Sequence, residues 1–412
     1  MTSPPVELAG PTTPKQRIVA IDVLRGFALL GILIMNIRGF AMVSAAYMNP
    51  LAAGPISGTE QAVWWLGTLL ADMKFMALFS MLFGAGMLLM YEHRDAAGKG
   101  SAGLHYRRMA GLLVIGLIHA YAIWFGDILV TYTLCGLWLF LLRKLWPWLL
   151  ITLGVLMLMV GTGLNVFFGL MLPSWPAEDF ANMQSFVSPT AAMITDETVA
   201  MRGGWWDQMP YRAAMSLEMQ TFYFAVWGLW RAGRLMLLGM GLLKLGVLRG
   251  TAARRTYLIL IGVGFGVGFP LIVSDLLRYP AEQRGEVDAL FFGMIGNYWG
   301  SVFVAVGYAS VIMLIVRGGA LAWLSRSLAA VGRMALTNYL AQSVICTLLF
   351  YGTLGHGGLF GRVGWVEQLG VVAGVWALQL AWSTWWLGRY RMGPMEALWR
   401  WASYGKRPAL KL

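Results

Sequence analysis

A histidine and a carboxylate stand eight residues apart at the end of one apolar run. His119 lies within the apolar residues 107–125, and Asp127 follows across a short turn. Imidazole exchanges protons near neutral pH, and a carboxylate can orient it for general base catalysis. We predict that His119 and Asp127 form a catalytic pair. His119 is the only histidine within a predicted span, because His93, His105 and His356 lie in predicted loops. The alternative is that His119 only bonds a backbone carbonyl of a neighbouring helix.

Two arginines lie one turn apart inside another apolar run. Gln220, Tyr223, Trp227, Arg231 and Arg234 are spaced by 3, 4, 4 and 3 residues, which predicts one stripe on a helix. Arginines at membrane depth need carboxylates, carbonyls, water or an anionic ligand. The stripe therefore indicates either a ligand site or a structural network with carboxylates such as those of Asp72, Glu218 and Asp127.

Other polar residues also interrupt apolar runs, where their cost makes them functional candidates. Most of them fall in the outer half of the predicted membrane domain. We expect them to line a polar cavity that opens outward and binds the substrate: Asn36, Arg38, Asp72, Lys74, Gln220, Tyr223, Arg231, Arg234 and Asn297. Asn338 and Gln342, spaced i,i+4, are typical of residues that cross-link helices.

A charged pair marks the opposite end of the first apolar run. Asp22 and Arg25 are spaced i,i+3 and can share a helical face. They either neutralise each other's burial or form an anion contact on the cytoplasmic side, in which Asp22 holds Arg25.

The composition indicates which elements must position these residues. Of the 412 residues, 58% are hydrophobic and 12% are charged, about half the charged share of soluble domains. This composition favours an all-α polytopic membrane protein in contact with the lipid bilayer. The net charge of +12 is placed between apolar runs, which argues against nucleic acid as a partner. Cys135 and Cys346 fall inside apolar runs as packing residues, and no metal-ligand spacing is present.

Ten apolar runs are long enough to cross the hydrocarbon as helices. They cover residues 18–37, 70–91, 107–125, 127–143, 146–171, 216–243, 256–277, 295–316, 327–351 and 366–388. With the N-terminus inside, 21 lysines and arginines fall on inside segments and six on outside loops. The positive-inside rule therefore places both termini in the cytoplasm. Asp22 and Arg25 within the first run favour an uncleaved span over a signal peptide.

The predicted organisation is one transmembrane domain, residues 18–388, between two cytoplasmic segments. Residues 1–17 form a tail, and residues 389–412 form an interfacial helix and tail in which Trp and Leu alternate with Arg and Lys. The extracytoplasmic loop 172–215 is rich in proline, tryptophan and acidic residues. It is either a surface loop with short interfacial helices or a cap over the outward cavity.

Several blocks along the chain resemble one bacterial family. They are residues 17–32 with Asn36, residues 74–84, residues 116–129, residues 332–339 and residues 393–396 with Tyr404-Gly405. Together they resemble the YeiB-type family of membrane proteins of unknown function. That family is distantly similar to transmembrane acyltransferases of the heparan-glucosaminide acetyltransferase type and the bacterial sugar O-acyltransferase type, through Asp22-x-x-Arg25-Gly26.

The resemblance implies acyl transfer from a cytoplasmic donor such as acyl-CoA, with no tightly bound cofactor. Asp22, Arg25 and Asn338 are assigned to donor binding. In the O-acyltransferase type a catalytic histidine lies fourteen residues after the aspartate, where this chain has Asn36, as the glucosaminide type does. The latter type has its active histidine before the second span, and no histidine occurs between Asn36 and Asp72. His119 would take that role.

Two functions follow as hypotheses. The first is a multi-pass acyltransferase of the bacterial inner membrane, acting on a small-molecule, sugar or lipid acceptor. In it Arg231 and Arg234 bind anionic groups or stabilise an oxyanion. The second is a transporter or lipid-handling protein without covalent chemistry, whose arginines bind an anionic substrate near the midplane. A homodimer is compatible with either hypothesis.

Overall fold

The computed structural model describes residues 18–96, 98, 100–355 and 357–411. The predicted tail 1–17, Lys99 and His356 lie outside this part. The described residues form an all-α bundle, which confirms the predicted fold class, and their one β-bridge joins Tyr390 to Lys411. The α-helices are α1 Val19–Ala41, α2 Thr59–Leu70, α3 Lys74–Ala96, α4 Ala102–Ile118, α5 Leu129–Leu139, α6 Pro147–Met171, α7 Ala177–Val187, α8 Ala191–Arg202, α9 Trp205–Gln220, α10 Arg234–Lys244, α11 Arg254–Arg278, α12 Val287–Phe292, α13 Ile295–Arg317, α14 Ala322–Arg333, α15 Ala335–Phe350, α16 Trp365–Leu387 and α17 Pro394–Tyr404.

Each of the ten predicted runs coincides with helix. Within the described residues, five stretches are long and apolar enough to cross a membrane: Val19–Ala41, Thr59–Asp95, Pro147–Ser174, Arg254–Arg278 and Val287–Arg317. Leu129–Leu142 and Ala335–Phe350 are shorter apolar helices. The protein therefore has the helices of a membrane protein, while the crossing of all ten runs stays a prediction.

The α1 helix lies at the centre of the bundle. It packs against α3, α13, α14, α15 and α16, and 72% of its most apolar 18-residue segment is buried.

The α6 and α11 helices are much more exposed. In each, only 22% of the most apolar 18-residue segment is buried, and leucine, isoleucine and valine side chains are exposed. Such exposed apolar faces are typical of helices that contact lipid.

The connections between helices gather on two opposite faces. The face that carries α7 to α9, here called the cap face, joins the segments that the sequence predicts to lie outside. Its contacts link residues 44, 49, 122, 285 and 360 to the cap helices. The other face, here called the basic face, joins the predicted inside segments through residues 92 and 249, 145 and 244, 252 and 317, and 108 and 399. The start of α1 and the C-terminal helix α17 both lie on the basic face.

Three predicted spans differ from the structure because their helices are interrupted. The second begins only at Lys74, after a break at residues 71–73 in which Met73 has a positive φ of 63°. The ninth is divided at Met334 into the amphipathic α14 and the apolar α15. The sixth is separated from α9 at Thr221 and continues as a π-helix, Phe224–Gly233, before α10.

Candidate functional site

The predicted pair of His119 and Asp127 is in contact. Nδ1 of His119 lies 2.7 Å from Oδ2 of Asp127, and the two side chains are 0% and 1% exposed. The other carboxylate oxygen accepts a hydrogen bond from the backbone nitrogen of Val130 at 2.8 Å. Nε2 of His119 is buried and has no hydrogen-bond partner among the described residues. The carboxylate therefore fixes the ring with Nδ1 protonated and leaves the Nε2 lone pair without a partner.

Local backbone geometry explains how these two residues meet. Residues 119–123 continue α4 as a short π-helix, which ends at Trp124 in extended conformation. The turn then reverses at Gly126, where a Cβ atom would lie 2.3 Å from the Trp124 ring. Widened turns of this kind recur at functional sites because they redirect one side chain.

Neighbouring elements hold this turn in place. From α9 of the cap, Arg212 donates to the Ala122 carbonyl at 3.0 Å and Ser216 to the Ala120 carbonyl at 2.9 Å. From α15, the Tyr339 hydroxyl accepts from the backbone nitrogen of Ile128 at 3.2 Å, and its ring centroid lies 5.1 Å from that of His119. The cap thus packs directly on the backbone of the histidine turn, which favours the cap interpretation of the 172–215 loop.

Asn36 faces the same turn. Phe40, one helical turn further along α1, stacks on Trp124 with ring centroids 4.0 Å apart, so the i,i+4 position of Asn36 is on that face. The side chain is partly exposed and makes no hydrogen bond to any described residue. Asn36 lies near the C-terminal end of α1, and its amide is available to a ligand.

A second group of predicted residues meets at the break between α2 and α3. Lys74 Nζ donates to Asn297 Oδ1 at 2.6 Å and to the Thr68 carbonyl at 2.5 Å. Asn297 Nδ2 donates to Asp72 Oδ2 at 2.7 Å. We call Arg38, Asp72, Lys74, Arg231 and Asn297, with Asp275 and Arg284, the break cluster. All seven side chains are at least 91% buried.

Asp72 and Lys74 therefore share a partner, although residues two apart on a regular helix do not face each other. The reason is the left-handed Met73 between them, which places both side chains against Asn297.

The two arginines of the predicted stripe are fully buried. Arg231 donates to the Tyr298 carbonyl at 2.9 Å, to Ser301 Oγ at 2.7 Å and to the Met73 carbonyl at 3.3 Å. Arg234 lies over the Tyr298 ring and bonds the Tyr298 hydroxyl and the Trp230 carbonyl. Neither forms an ion pair with a carboxylate among the described residues, so a network of direct salt bridges is not what holds them.

Within the described residues no hydrogen bond joins Gln220, Tyr223 or Trp227 to the two arginines, and the single continuous stripe stays a prediction. The kink at Thr221 and the wider turns of the π-helix change the register between Gln220 and Arg231. The Tyr223 ring packs on Phe186 of the cap, with centroids 5.7 Å apart, and Gln220 Nε2 is buried without a partner.

On the basic face, Arg25 bonds Asp22 at 3.3 Å and is 30% exposed at its side chain. Gly26 and Gly332 allow α1 and α14 to touch here, since a Cβ at Gly26 would lie 2.0 Å from the Leu328 carbonyl oxygen. The resembling blocks at residues 22–26 and 332–339 therefore pack on each other. Asn338 is engaged as a helix cross-link, because it donates to Ser383 Oγ at 2.9 Å and accepts from Trp382 at 2.7 Å.

Sequence reasoning missed several residues of these sites. They are Tyr339, Tyr298, Asp275 and Arg284, of which Tyr339 and Tyr298 lie far along the chain from Ile128 and Arg231, the residues they contact. Arg284 donates to the carbonyls of Tyr279, Gly293 and Asp275. As aromatic or loop residues, most of them belong to no periodic polar pattern in the sequence. Asp275 is the exception, because a carboxylate inside the seventh apolar run is itself a signal that could have been noticed.

Two buried carboxylates outside the spans each join elements within one face. Glu197 of the cap accepts from the Ser44 backbone nitrogen at 2.8 Å, and burial raises its pKa. Glu396 of α17 accepts from the backbone nitrogens of Leu336 at 2.7 Å and Thr337 at 3.1 Å, and burial raises its pKa as well. Glu396 therefore caps the free N–H groups at the start of α15.

Comparison with known proteins relates the whole chain to one group. The family described as "Protein of unknown function (DUF418)" matches residues 242–406. The chain is 33% identical to "Uncharacterized protein YeiB" of Escherichia coli (strain K12), over 93% of this chain and 96% of the relative. It is 30% identical to "Uncharacterized protein YxaH" of Bacillus subtilis (strain 168), over 96% of each chain. No solved structure matches it. With a relative of this identity matched over nearly its full length, the chain belongs to the YeiB-type, DUF418 family.

Proposed function

We propose that the protein is an acyltransferase of the bacterial inner membrane. It moves an acyl group from a cytoplasmic thioester donor, such as acyl-CoA, to a hydroxyl or amine acceptor. The observation that carries the proposal is the ring of His119, tied to Asp127 at Nδ1 and left without a partner at Nε2. A buried nitrogen without a hydrogen bond is costly, and an acceptor hydroxyl would satisfy it.

The chemistry requires one base and one stabiliser of negative charge. Nε2 of His119 removes the proton of the acceptor as its oxygen or nitrogen attacks the thioester carbonyl. Asp127 remains ionised and stabilises the imidazolium, as the third member of a triad does. The side-chain amide of Asn36, free of other hydrogen bonds, would donate to the developing oxyanion. Collapse of the intermediate breaks the C–S bond, and the imidazolium returns its proton to the leaving thiolate.

Access determines when this reaction occurs. The residue His119 is only 1% exposed, so an acceptor reaches Nε2 only after the neighbouring Tyr339 or the cap moves. Opening of a cap that excludes water is a common step in enzymes whose intermediates water would hydrolyse. The donor would approach from the basic face, where Arg25 is partly exposed beside Asp22. The positive-inside rule predicts that this face is cytoplasmic.

A transporter or lipid-handling protein is the second candidate. The break between α2 and α3 favours it, because interrupted helices with buried charges commonly form the substrate sites of transporters. In that case the His119–Asp127 pair would stabilise the turn beneath the cap, and no covalent product would form.

The test is transfer of a labelled acyl group. Membranes containing the protein are supplied with labelled acetyl-CoA, and lipid and sugar fractions are analysed by mass spectrometry for acylated acceptors. His119→Gln should lower the initial rate by about 10²–10⁴-fold, the usual share of general base catalysis. His93→Gln, which changes an exposed histidine on the basic face, is the matched control and should transfer at the wild-type rate.

Two outcomes contradict the proposal. Equal transfer by the wild type and His119→Gln would exclude the histidine as the base. Accumulation of an unmodified substrate in vesicles, without any labelled product, would favour the transporter instead.

A further inference from the structure

The break cluster holds more positive than negative charge. Asp72 interacts electrostatically with Arg38, Arg231 and Arg284, and Lys74 interacts with both Asp72 and Asp275. Four cations thus surround two carboxylates, all of them buried. Even with Lys74 neutral, three arginines would face two carboxylates. A surplus of buried charge is expensive unless an opposite charge joins it.

Arg38 shows where that opposite charge belongs. Its side chain is 4% exposed, yet its guanidinium donates no hydrogen bond to any residue that the structure describes. Its guanidinium carbon lies 4.6 Å from the centroid of the Trp365 ring, and the guanidinium interacts electrostatically with Asp72. By comparison, Arg231 and Arg284 each donate three hydrogen bonds to protein oxygens. Arg38 is therefore the cation with donors available to a ligand.

Tyr47 marks the side of the bundle nearest the cluster. It lies in the connection after α1 on the cap face and keeps 40% of its surface exposed. The same side chain interacts electrostatically with Asp72, Arg38 and Arg231. A ligand of the cluster would therefore approach from the cap face.

We propose that the break cluster binds a phosphate monoester group through Arg38, on the cap-face side of the membrane. The planar guanidinium matches phosphate oxygens with two parallel N–H donors. A monoester carries roughly two negative charges at neutral pH, which equals the surplus of the cluster when Lys74 is charged, whereas a carboxylate carries one. The backbone break also contributes to the site. The left-handed Met73 directs its carbonyl to Arg231, so this acceptor does not occupy the N–H donors of Arg38, which stay available to the ligand.

The proposal goes beyond acyl transfer and does not depend on it. None of the residues of the break cluster is His119, Asp127 or Asn36. The phosphate group has two sources with the same chemistry, a lipid phosphate in the membrane or a soluble phosphate ester, and the experiment separates them.

The experiment measures stabilisation by phosphate. Protein purified in a non-ionic detergent without phosphate is unfolded thermally across a titration of inorganic phosphate, with sodium chloride and sodium acetate at equal ionic strength as comparisons. Phosphate should raise the unfolding temperature saturably, as a ligand of the native state does. Arg38→Gln should weaken the apparent affinity on the order of ten- to a hundredfold, the value of hydrogen bonds to a charged group. Arg362→Gln, an exposed arginine of the cap face, should bind as the wild type does.

Two further arms complete the test. Arg38→Lys keeps the positive charge but loses the two parallel N–H donors of the guanidinium. Its affinity for phosphate should therefore fall between those of the wild type and Arg38→Gln. In phosphatidylcholine nanodiscs with and without phosphatidate, stabilisation by phosphatidate but not by glycerol phosphate identifies the lipid source. The reverse identifies the soluble source.

The proposal is overturned if Arg38→Gln responds to phosphate as the wild type does, or if acetate stabilises as strongly as phosphate. It is also overturned if Arg38→Gln without phosphate unfolds far below the wild type. Little loss of stability is expected, because Arg38 donates no hydrogen bond to the described residues. A large loss would mean that Arg38 supports the fold rather than a ligand.

Discussion

The contact between α1 and α14 predicts the effect of a single methyl group. A Cβ built on Gly332 would lie 1.9 Å from the Asp22 carbonyl oxygen and 2.8 Å from the Gly26 nitrogen. Ordinary contacts of this kind begin at 3.4 Å, so Gly332→Ala requires the helices to separate by about 1.5 Å at a packed crossing. Overpacking of this size costs about 1–3 kcal/mol, against a gain of about 1 kcal/mol in helix propensity.

The assay is thermal unfolding in one detergent, with Gly374→Ala as the matched control. Gly374 lies within α16, and nothing is within 4 Å of its added Cβ, so only the propensity gain applies. Gly332→Ala should unfold below the wild type, and Gly374→Ala at or above it. If Gly332→Ala unfolds at or above the control, α1 and α14 do not approach as described, and the position of Asp22 and Arg25 beside α14 is wrong as well.

Three further predictions concern the connections on the two faces. Burial raises the folded-state pKa of Glu396 above its ordinary 4.5, so the folded protein binds more protons and its stability falls as pH rises through the window above 4.5. Glu396→Gln does not titrate at this position, so its unfolding temperature relative to that of the wild type should rise with pH over that window. Parallel curves of unfolding temperature against pH for the two proteins would contradict this. Glu197→Ala leaves the Ser44 nitrogen without its acceptor, which costs about 1–3 kcal/mol, and should increase proteolysis within residues 172–220, whereas unchanged cleavage would show that the cap is held elsewhere. Reporter fusions after residues 55, 190, 285 and 360 should all report the extracytoplasmic side, and a cytoplasmic signal at 190 would break the ten-span topology.

The breaks in the helices mark the limit of periodicity as a guide. Residues 71–73 read Ala-Asp-Met, with neither glycine nor proline to signal an interruption. The break is stabilised by acceptors and donors from other helices, such as Arg231 at the Met73 carbonyl and Tyr308 at the Leu70 carbonyl. Since these partners are 158 and 238 residues away, no local pattern could have revealed them.

The His119–Asp127 pair was accessible to sequence reasoning for the opposite reason. Its members are eight residues apart, and a short turn leaves them few alternatives. The sequence could not show that Nε2 of His119 is buried, because this burial depends on Tyr339 from α15 and on the cap helix α9. Likewise, the sequence indicated that Arg231 and Arg234 avoid lipid, whereas Tyr298, which lies beside both guanidiniums, is known only from the fold.

By itself the sequence determined the all-α class, the apolar runs that became helices and the family of this protein, but not the breaks within those runs. The class, the runs and the family depend on the apolar length that hydrocarbon demands and on blocks of consecutive residues, both of which are local properties. Only the tertiary structure decided which polar groups meet: Lys74 with Asn297, 223 residues apart, or Gly332 with Asp22. Such pairs arise because helices whose backbone groups are already satisfied are free to pack in many arrangements, and close side-chain complementarity between distant segments selects one of them.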